Sequence, residues 1–334
     1  MKPKIRPVFA SLLVALLPAA GVSDARAASA APKAGAPAPK ETITIIVPFT
    51  HGGPTDELAR LLLAPLGKAL KQKVVARNIL GAGGTLGAEK ASKATPDGTT
   101  LLLSNIGHAT SPTLYRDLRY DPVGDFEPIG LVAEVPMMLL ARASLPAKNV
   151  RELLAGDTGS LSYAHAGVGS ASHLCGLLFM NATRARPRQI AYQGTQEALS
   201  DLVNGHVDLL CDQPTNTLQA VRAGQVHAYG VTTRARAAVL PQVPTLAEAG
   251  LPDVEVSVWH GLYAPKGTPR DAVDRLAAGL REALADPALK AQMSRLGVVA
   301  ATGAQATPDA LGQRLKSEEL RWGPILHGAG ARVE

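Results

Sequence analysis

The sequence predicts an α/β fold with mainly parallel sheets, divided between two lobes. Three observations predict it. Short apolar runs alternate with helical patterns over most of the chain, the rhythm of strand–helix–strand units. Many of these runs are continuous rather than alternating in polarity, as strands covered on both faces should be. Two further runs read as crossings between domains: Pro136-Met137-Met138-Leu139-Leu140-Ala141 before Ser144-Leu145-Pro146, and Val256-Ser257-Val258-Trp259 leading to Ala264-Pro265-Lys266-Gly267.

In chain order, residues 1–27 read as a secretory signal peptide. Lys2, Lys4 and Arg6 precede the apolar stretch Val8 to Leu17, and Ala25-Arg26-Ala27 is an A-x-A cleavage site, which predicts export with cleavage after Ala27. The stretch is too short and wrongly flanked for a membrane span. Residues 28–40 (ASAAPKAGAPAPK) are an Ala/Pro/Lys linker with nothing to bury, and disorder is expected there. Most of the formal net charge of +6 sits in this leader and linker, leaving about +1 for residues 41–334. With few aromatics and no basic run in that part, nucleic-acid binding has little support.

The first strand, 43–49, leads to a helix at 56–71, which Pro65 is expected to kink. Strands follow at 73–78, 99–104, 127–134, 137–142, 161–165, 188–192, 207–211, 226–232 and 254–264. Helices are signalled at 85–94, 148–155, 170–182, 195–204 and 215–223. Val273, Leu276, Ala277, Leu280 and Leu284 mark one face of a helix over 269–286; two more follow at 287–296 and 308–325. These last helices bring few strands of their own, so they are expected to pack back on the first sheet. The crossings place lobe 1 at 41–142 and 256–334, and an inserted lobe 2 at 143–255. Ligands of open α/β sheets bind outside the carboxyl ends of the strands, so the lobes should face each other across a cleft.

Small polar loops stand at those strand ends. In Pro48 to Asp56, Gly52 and Gly53 allow close backbone approach, Pro54 suits the first helical position, and Thr55 and Asp56 suit capping. Its free N–H groups would suit an anion; Asp56 would repel one and reads as a cap or as a partner for a ligand amine or hydroxyl. Similar loops follow at Ser104 to Thr110, Ala166 to His173, Tyr192 to Thr195 and Cys211 to Thr215. Each alone is an ordinary capped turn, but five at one end of parallel strands point to a binding cleft.

Other chemistries find less support. Gly81-Ala82-Gly83-Gly84-Thr85-Leu86-Gly87 departs from G-x-G-x-x-G, since Leu86 holds the last position, so no nucleotide cofactor is expected. No G-x-S-x-G occurs, although Ser170, Ser172 and His173 are close neighbours, so a secreted hydrolase is the weaker alternative. The eight histidines include no H-E-x-x-H and no i, i+4 pair, and no metal is expected. Cys175 lies one turn into the helix after the Ser170 loop, and Cys211 ends a strand of the same lobe. A disulfide is the expected outcome in an oxidising compartment, with two buried thiols the alternative.

Many ordered motifs resemble the Bug family of periplasmic solute receptors, the TctC-like binding components of tripartite tricarboxylate transporters. They include Ile46-Val47-Pro48-Phe49 with Gly52-Gly53-Pro54-Thr55-Asp56, Gly81-Ala82-Gly83-Gly84, Thr95-Pro96-Asp97-Gly98 and Tyr120-Asp121-Pro122. Gly169-Ser170 with His173-Leu174, Tyr192-Gln193-Gly194, Pro244-Thr245 and Ala264-Pro265-Lys266-Gly267 continue the match, which covers nearly all of 41–334. The resemblance implies a two-lobed periplasmic-binding-protein fold (type II, Venus-flytrap) without catalysis or cofactor, monomeric, which captures a small carboxylate. It would hand that ligand to membrane transporter subunits or, alternatively, to a sensor protein. Carried onto this chain, the ligand set is Phe49, Thr50, Gly53, Thr55 and Asp56 in one lobe and Gly169, Ser170, Ala171, Ser172 and His173 in the other. Asn105, His108, Tyr192, Gly194, Thr195 and Asp212 complete the lining. Thr50-His51 and Tyr192-Gln193 depart from the family's usual proline-rich and Tyr-Lys pairs; the missing lysine weakens the case for a highly charged ligand such as citrate.

Overall fold

The computed structural model describes residues 41–328 and 331. The expected leader and linker, 1–27 and 28–40, lie outside the described residues. The chain opens with β1 (Ile43–Val47), α1 (Pro54–Leu70), β2 (Val74–Asn78), α2 (Thr85–Ser92), β3 (Thr100–Asn105), α3 (Gly107–Leu114) and β4 (Phe126–Pro136). It continues through β5 (Met138–Arg142), α4 (Val150–Ala155), β6 (Ser162–His165), α5 (Ala171–Thr183), β7 (Arg188–Ala191), α6 (Thr195–Val203), β8 (Leu209–Asp212), α7 (Pro214–Arg222) and β9 (Val226–Val231). It ends with β10 (Ser257–Pro265), α8 (Arg270–Ala285), α9 (Pro287–Arg295), β11 (Val299–Ala300) and α10 (Pro308–Gly328).

These strands form two sheets flanked by helices, ordered β11-β4-β10-β3-β1-β2 and β7-β6-β8-β5-β9. In the first, β10 and β11 oppose the direction of the other four strands; in the second, only β5 is reversed. The reversals of β5 and β10 follow from the crossings. Strand β4 brings the chain to the cleft at its carboxyl end, so β5, one residue further on, must run away from it. Strand β10 does the same on the way back. All the strands that share the majority direction therefore point their carboxyl ends at the space between the lobes.

The boundary differs from the expected one at residue 142. Strand β5 pairs with β8 and β9, so residues 138–142 belong to the second sheet and the outgoing crossing is at Met137. The turn signal after it closes β5 locally, Leu145 N–H bonding the Arg142 carbonyl (3.0 Å), rather than separating lobes. Both crossings meet at Thr232. Its hydroxyl accepts from Met137 N–H (3.0 Å) and donates to the Val256 carbonyl (2.5 Å). Its own N–H bonds Met137 O, and its carbonyl accepts from Val256 N–H.

Strand β5 shows why the apolar runs are continuous. Leu139 and Ala141 enter one core, while Met138 and Leu140 face a second core built on α6, α7 and the loop after β9. Both faces are covered, so neither can be polar. As expected, α8 and α10 pack on the first sheet, with Val273, Leu276, Leu280 and Leu284 buried. Helix α1 is continuous through Pro65. Helix α3 was expected as a loop: its Gly, Thr, Ser and Pro residues are poor helix formers, and packing against α10 supports it. No helix among the described residues is long and apolar enough to cross a membrane.

Candidate functional site

The loop after β1 is shaped by Asp56. Its carboxylate, fully buried, accepts from Gly52 N–H (2.9 Å), from Arg60 Nε (2.7 Å) and Nη2 (3.1 Å), and from Asn78 Nδ2 (2.8 Å). The same Asn78 amide donates to the Phe49 carbonyl (2.9 Å). Burial alone would raise the Asp56 carboxyl, but Arg60, Gly52 and Asn78 together hold it below the usual range. Asp56 thus braces the loop from behind and turns away from the cleft, contrary to a direct role towards ligand.

What the brace presents is a helix end. Gly53 is the N-cap of α1, and no side chain caps that terminus. Gly194 and Gln213, the N-caps of α6 and α7, also lack a side-chain cap. Ser170 caps α5, its Oγ accepting from His173 N–H at 3.3 Å while bonding Gly167 O and Ser172 Oγ. These four N-caps, one from lobe 1 and three from lobe 2, line a single cavity of about 30 Å³. Phe49, Thr50, Thr55, Asn105, Ala171, Ser172, Thr195 and Asp212 complete its walls with Pro54 and Ala166, and no lysine or arginine is among them.

Behind the lining, Asn105 Nδ2 donates to Thr55 Oγ1 (3.3 Å), and His260 Nε2 lies 3.3 Å from the same hydroxyl. Asn105 Oδ1 accepts from Gly107 N–H (3.0 Å), which fixes the amide's orientation. Thr50 Oγ1 and Gln213 Oε1 are buried without a partner. Asp212 is 1% exposed; Asn216 donates to its Oδ2 at 2.6 Å, yet burial pushes its carboxyl up to about 6.

Phe49 and Ala166 also border an outer chamber of about 270 Å³, whose walls include the 81–84 turn, Tyr115, Val168, Tyr192 and Gln193. Across it Tyr115 of lobe 1 donates to the Val168 carbonyl of lobe 2 at 2.6 Å. Close approach requires glycine here: a Cβ on Gly83 would lie 1.9 Å from Val168 O, and one on Gly194 1.9 Å from Thr50 Oγ1. The lobes are in contact across this chamber.

Of the expected residues, four more do not reach the inner cavity. His108 sits in a box of Tyr120, Phe126 and Tyr263, and burial drives its imidazole down to about 3. His173 turns inward, its Nδ1 accepting from Gly169 N–H and its ring 4.8 Å from that of His165. Gly169 adopts φ +83 and packs against Leu114 and Tyr115 across the lobes. Tyr192 lines the outer chamber and donates to Asp201 (2.6 Å). Tyr115, Ala166 and Gln213 were not expected as lining; Gln213 follows Asp212 and precedes Pro214, the pattern of an N-cap, which was the available signal. Cys175 and Cys211 are bridged, with Cα atoms 6.2 Å apart. The bridge ties the second turn of α5 to the end of β8 beside Asp212.

The sequence profile of the tripartite tricarboxylate transporter family receptor matches residues 58–330. The chain belongs to that family. Among its curated relatives is the UPF0065 protein in the TAR-I ttuE-ttuC' intergenic region of Agrobacterium vitis, 43% identical over 295 residues, 87% of this chain and 85% of the relative. Among solved structures, periplasmic binding protein BugD is 41% identical with a TM-score of 0.85, covering 88% of this chain and all of that one. MatC from Rhodopseudomonas palustris, solved with bound malate, is 40% identical with a TM-score of 0.83, covering 86% of this receptor and 99% of that chain. The family is one of solute-binding receptors with a two-lobed fold, and its structural neighbours include periplasmic, carboxylate-bound proteins.

Proposed function

We propose that the protein is a periplasmic receptor that closes on a small carboxylate and delivers it to a tripartite tricarboxylate transporter. The observation that carries this reading is the convergence of four helix N-caps, from both lobes, on one cavity without a cationic side chain. Helix N-termini supply unpaired N–H donors and the positive end of the dipole, which together suit a carboxylate. Malate in MatC supports the same ligand class. Asp56, His108, Gly169 and His173 shape the walls, Tyr192 borders the outer chamber, and the remaining residues of the expected set meet the ligand. Export with cleavage after Ala27 belongs to the same reading.

The test is calorimetric titration with small mono- and dicarboxylates against their methyl esters. A charge-assisted hydrogen bond contributes roughly 1.5–3 kcal/mol, so the ester is expected to bind at least about tenfold more weakly. An ester that binds as tightly as its acid removes the carboxylate reading.

A further inference from the structure

The carboxylate reading puts a second acid in a cavity whose wall already includes Asp212, and the next inference rests on that reading. A carboxyl group seated in this cavity of about 30 Å³ would face the wall that Asp212 helps to form. Nothing in the lining separates them with positive charge. Asp212 meets only neutral donors: the Asn216 amide at 2.6 Å, Gln213 N–H and the Thr195 hydroxyl.

The elements packed around Asp212 offer no cation either. Strand β6 brings Tyr163, whose hydroxyl donates to Ser172 O, and His165; α5 brings His173. Both imidazoles are held neutral by burial. On α6, Glu197 is exposed and Asp201 binds Tyr192 and His206; on α7, Arg222 is exposed in the last turn. On β5, Arg142 pairs with Asp208 at the far end of the strand. Across the cleft stand Thr55, Asn105 and His260, the last also neutral by burial.

We propose that Asp212 receives the ligand carboxylate as a neutral acid, so that the two carboxyl groups share one proton taken up from solvent. Four helix ends offset one negative charge, and the shared proton removes the need to hold a second. Carboxylates confined to one site do not both ionise, and the pair then behaves as a single titrating unit. Burial has already moved Asp212 to about 6, and a bound anion moves it further up. Below that value the acid is ready-made and affinity is flat; above it each binding event must bring in a proton, and affinity falls by up to about tenfold per pH unit.

The experiment is titration calorimetry with formate, acetate, L-malate and adipate at about pH 5.5, 6.5 and 7.5, each in two buffers of different ionisation enthalpy. The expected result is up to one proton taken up per bound carboxylate at the two higher values, with affinity falling as pH rises. Asp212→Asn, with its permanently neutral amide, is expected to bind more tightly than the wild type at the highest pH, without slope and without proton uptake. Carboxylate binding with no proton uptake by the wild type overturns the shared proton while leaving the carboxylate reading intact, and it needs no variant. Asp212→Asn that is folded yet weaker at every pH also overturns it, by showing an ionised Asp212 that accepts from a ligand hydroxyl or ammonium. No binding by any of the four removes the carboxylate reading and the shared proton together.

Discussion

Replacing Gly194 with alanine is expected to block closure while leaving each lobe intact. Gly194 has an extended backbone (φ −166), a conformation open to any residue, so the new methyl brings no backbone strain. What it meets is the other lobe: Thr50 Oγ1 at 1.9 Å, with Thr50 Cβ and Cγ2 at 2.9 Å. Relieving such overpacking costs typically about 1–3 kcal/mol, which here is charged to the closed state alone. Ligand affinity depends on closure, so it should fall by about 5- to 150-fold. The ligand-free melting temperature should stay near that of the wild type. Thr50→Gly deletes all three clashing atoms, so the double variant Thr50→Gly/Gly194→Ala should bind more tightly than Gly194→Ala alone. Calorimetry with the carboxylate found in the ester comparison measures all three proteins. Wild-type affinity in Gly194→Ala would show that these loops do not meet in the liganded form.

The disulfide closes a loop of sequence separation 36, for which chain entropy gives about 4 kcal/mol. Unreduced, denatured protein should therefore carry no labelled thiol at Cys175 or Cys211, and Cys175→Ala/Cys211→Ala should lose denaturation midpoint by that order; two free thiols, or an unchanged midpoint, would contradict it. Acid should destabilise the ligand-free fold. His108, His173 and His260 are each pushed to about 3 by burial, below their unfolded value, so the unfolded chain binds more protons and stability is lost as pH falls from about 6.5. Asp212, raised to about 6, has the opposite sign between its unfolded value and 6, but it is one group against three. Urea unfolding at about pH 7 and pH 5 should show the drop, and a flat profile would mean that these rings are solvated.

The parts legible in the sequence were those written in local chemistry. A glycine pair before Pro54 marks a helix start wherever the helix goes, and Ser170 caps its own α5. The strand ends of both lobes were readable for the same reason. The roles of Asp56 and His108 were not, because each is decided by residues distant in the chain: Asn78 for one, Phe126 and Tyr263 for the other. Both types occur at binding sites and as buried structure, and only packing separates the two. Helix α3 escaped notice because its stability comes from α10, nearly two hundred residues later. The assignment of β5 turned on a pairing with β8 that no local signal records.

The meeting of Met137, Thr232 and Val256 makes the second lobe an exchangeable cassette. The chain enters and leaves it at two positions held to the same threonine, so the cut points already sit side by side. A recombination event that swapped this segment with that of a relative would replace three of the four helix ends that line the cavity, together with Asp212 and its disulfide tether. It would leave the first sheet, its C-terminal helices and their outer surface untouched. Selectivity can thus be rewritten by shuffling one internal stretch of gene, while the body that a transporter would meet keeps its shape.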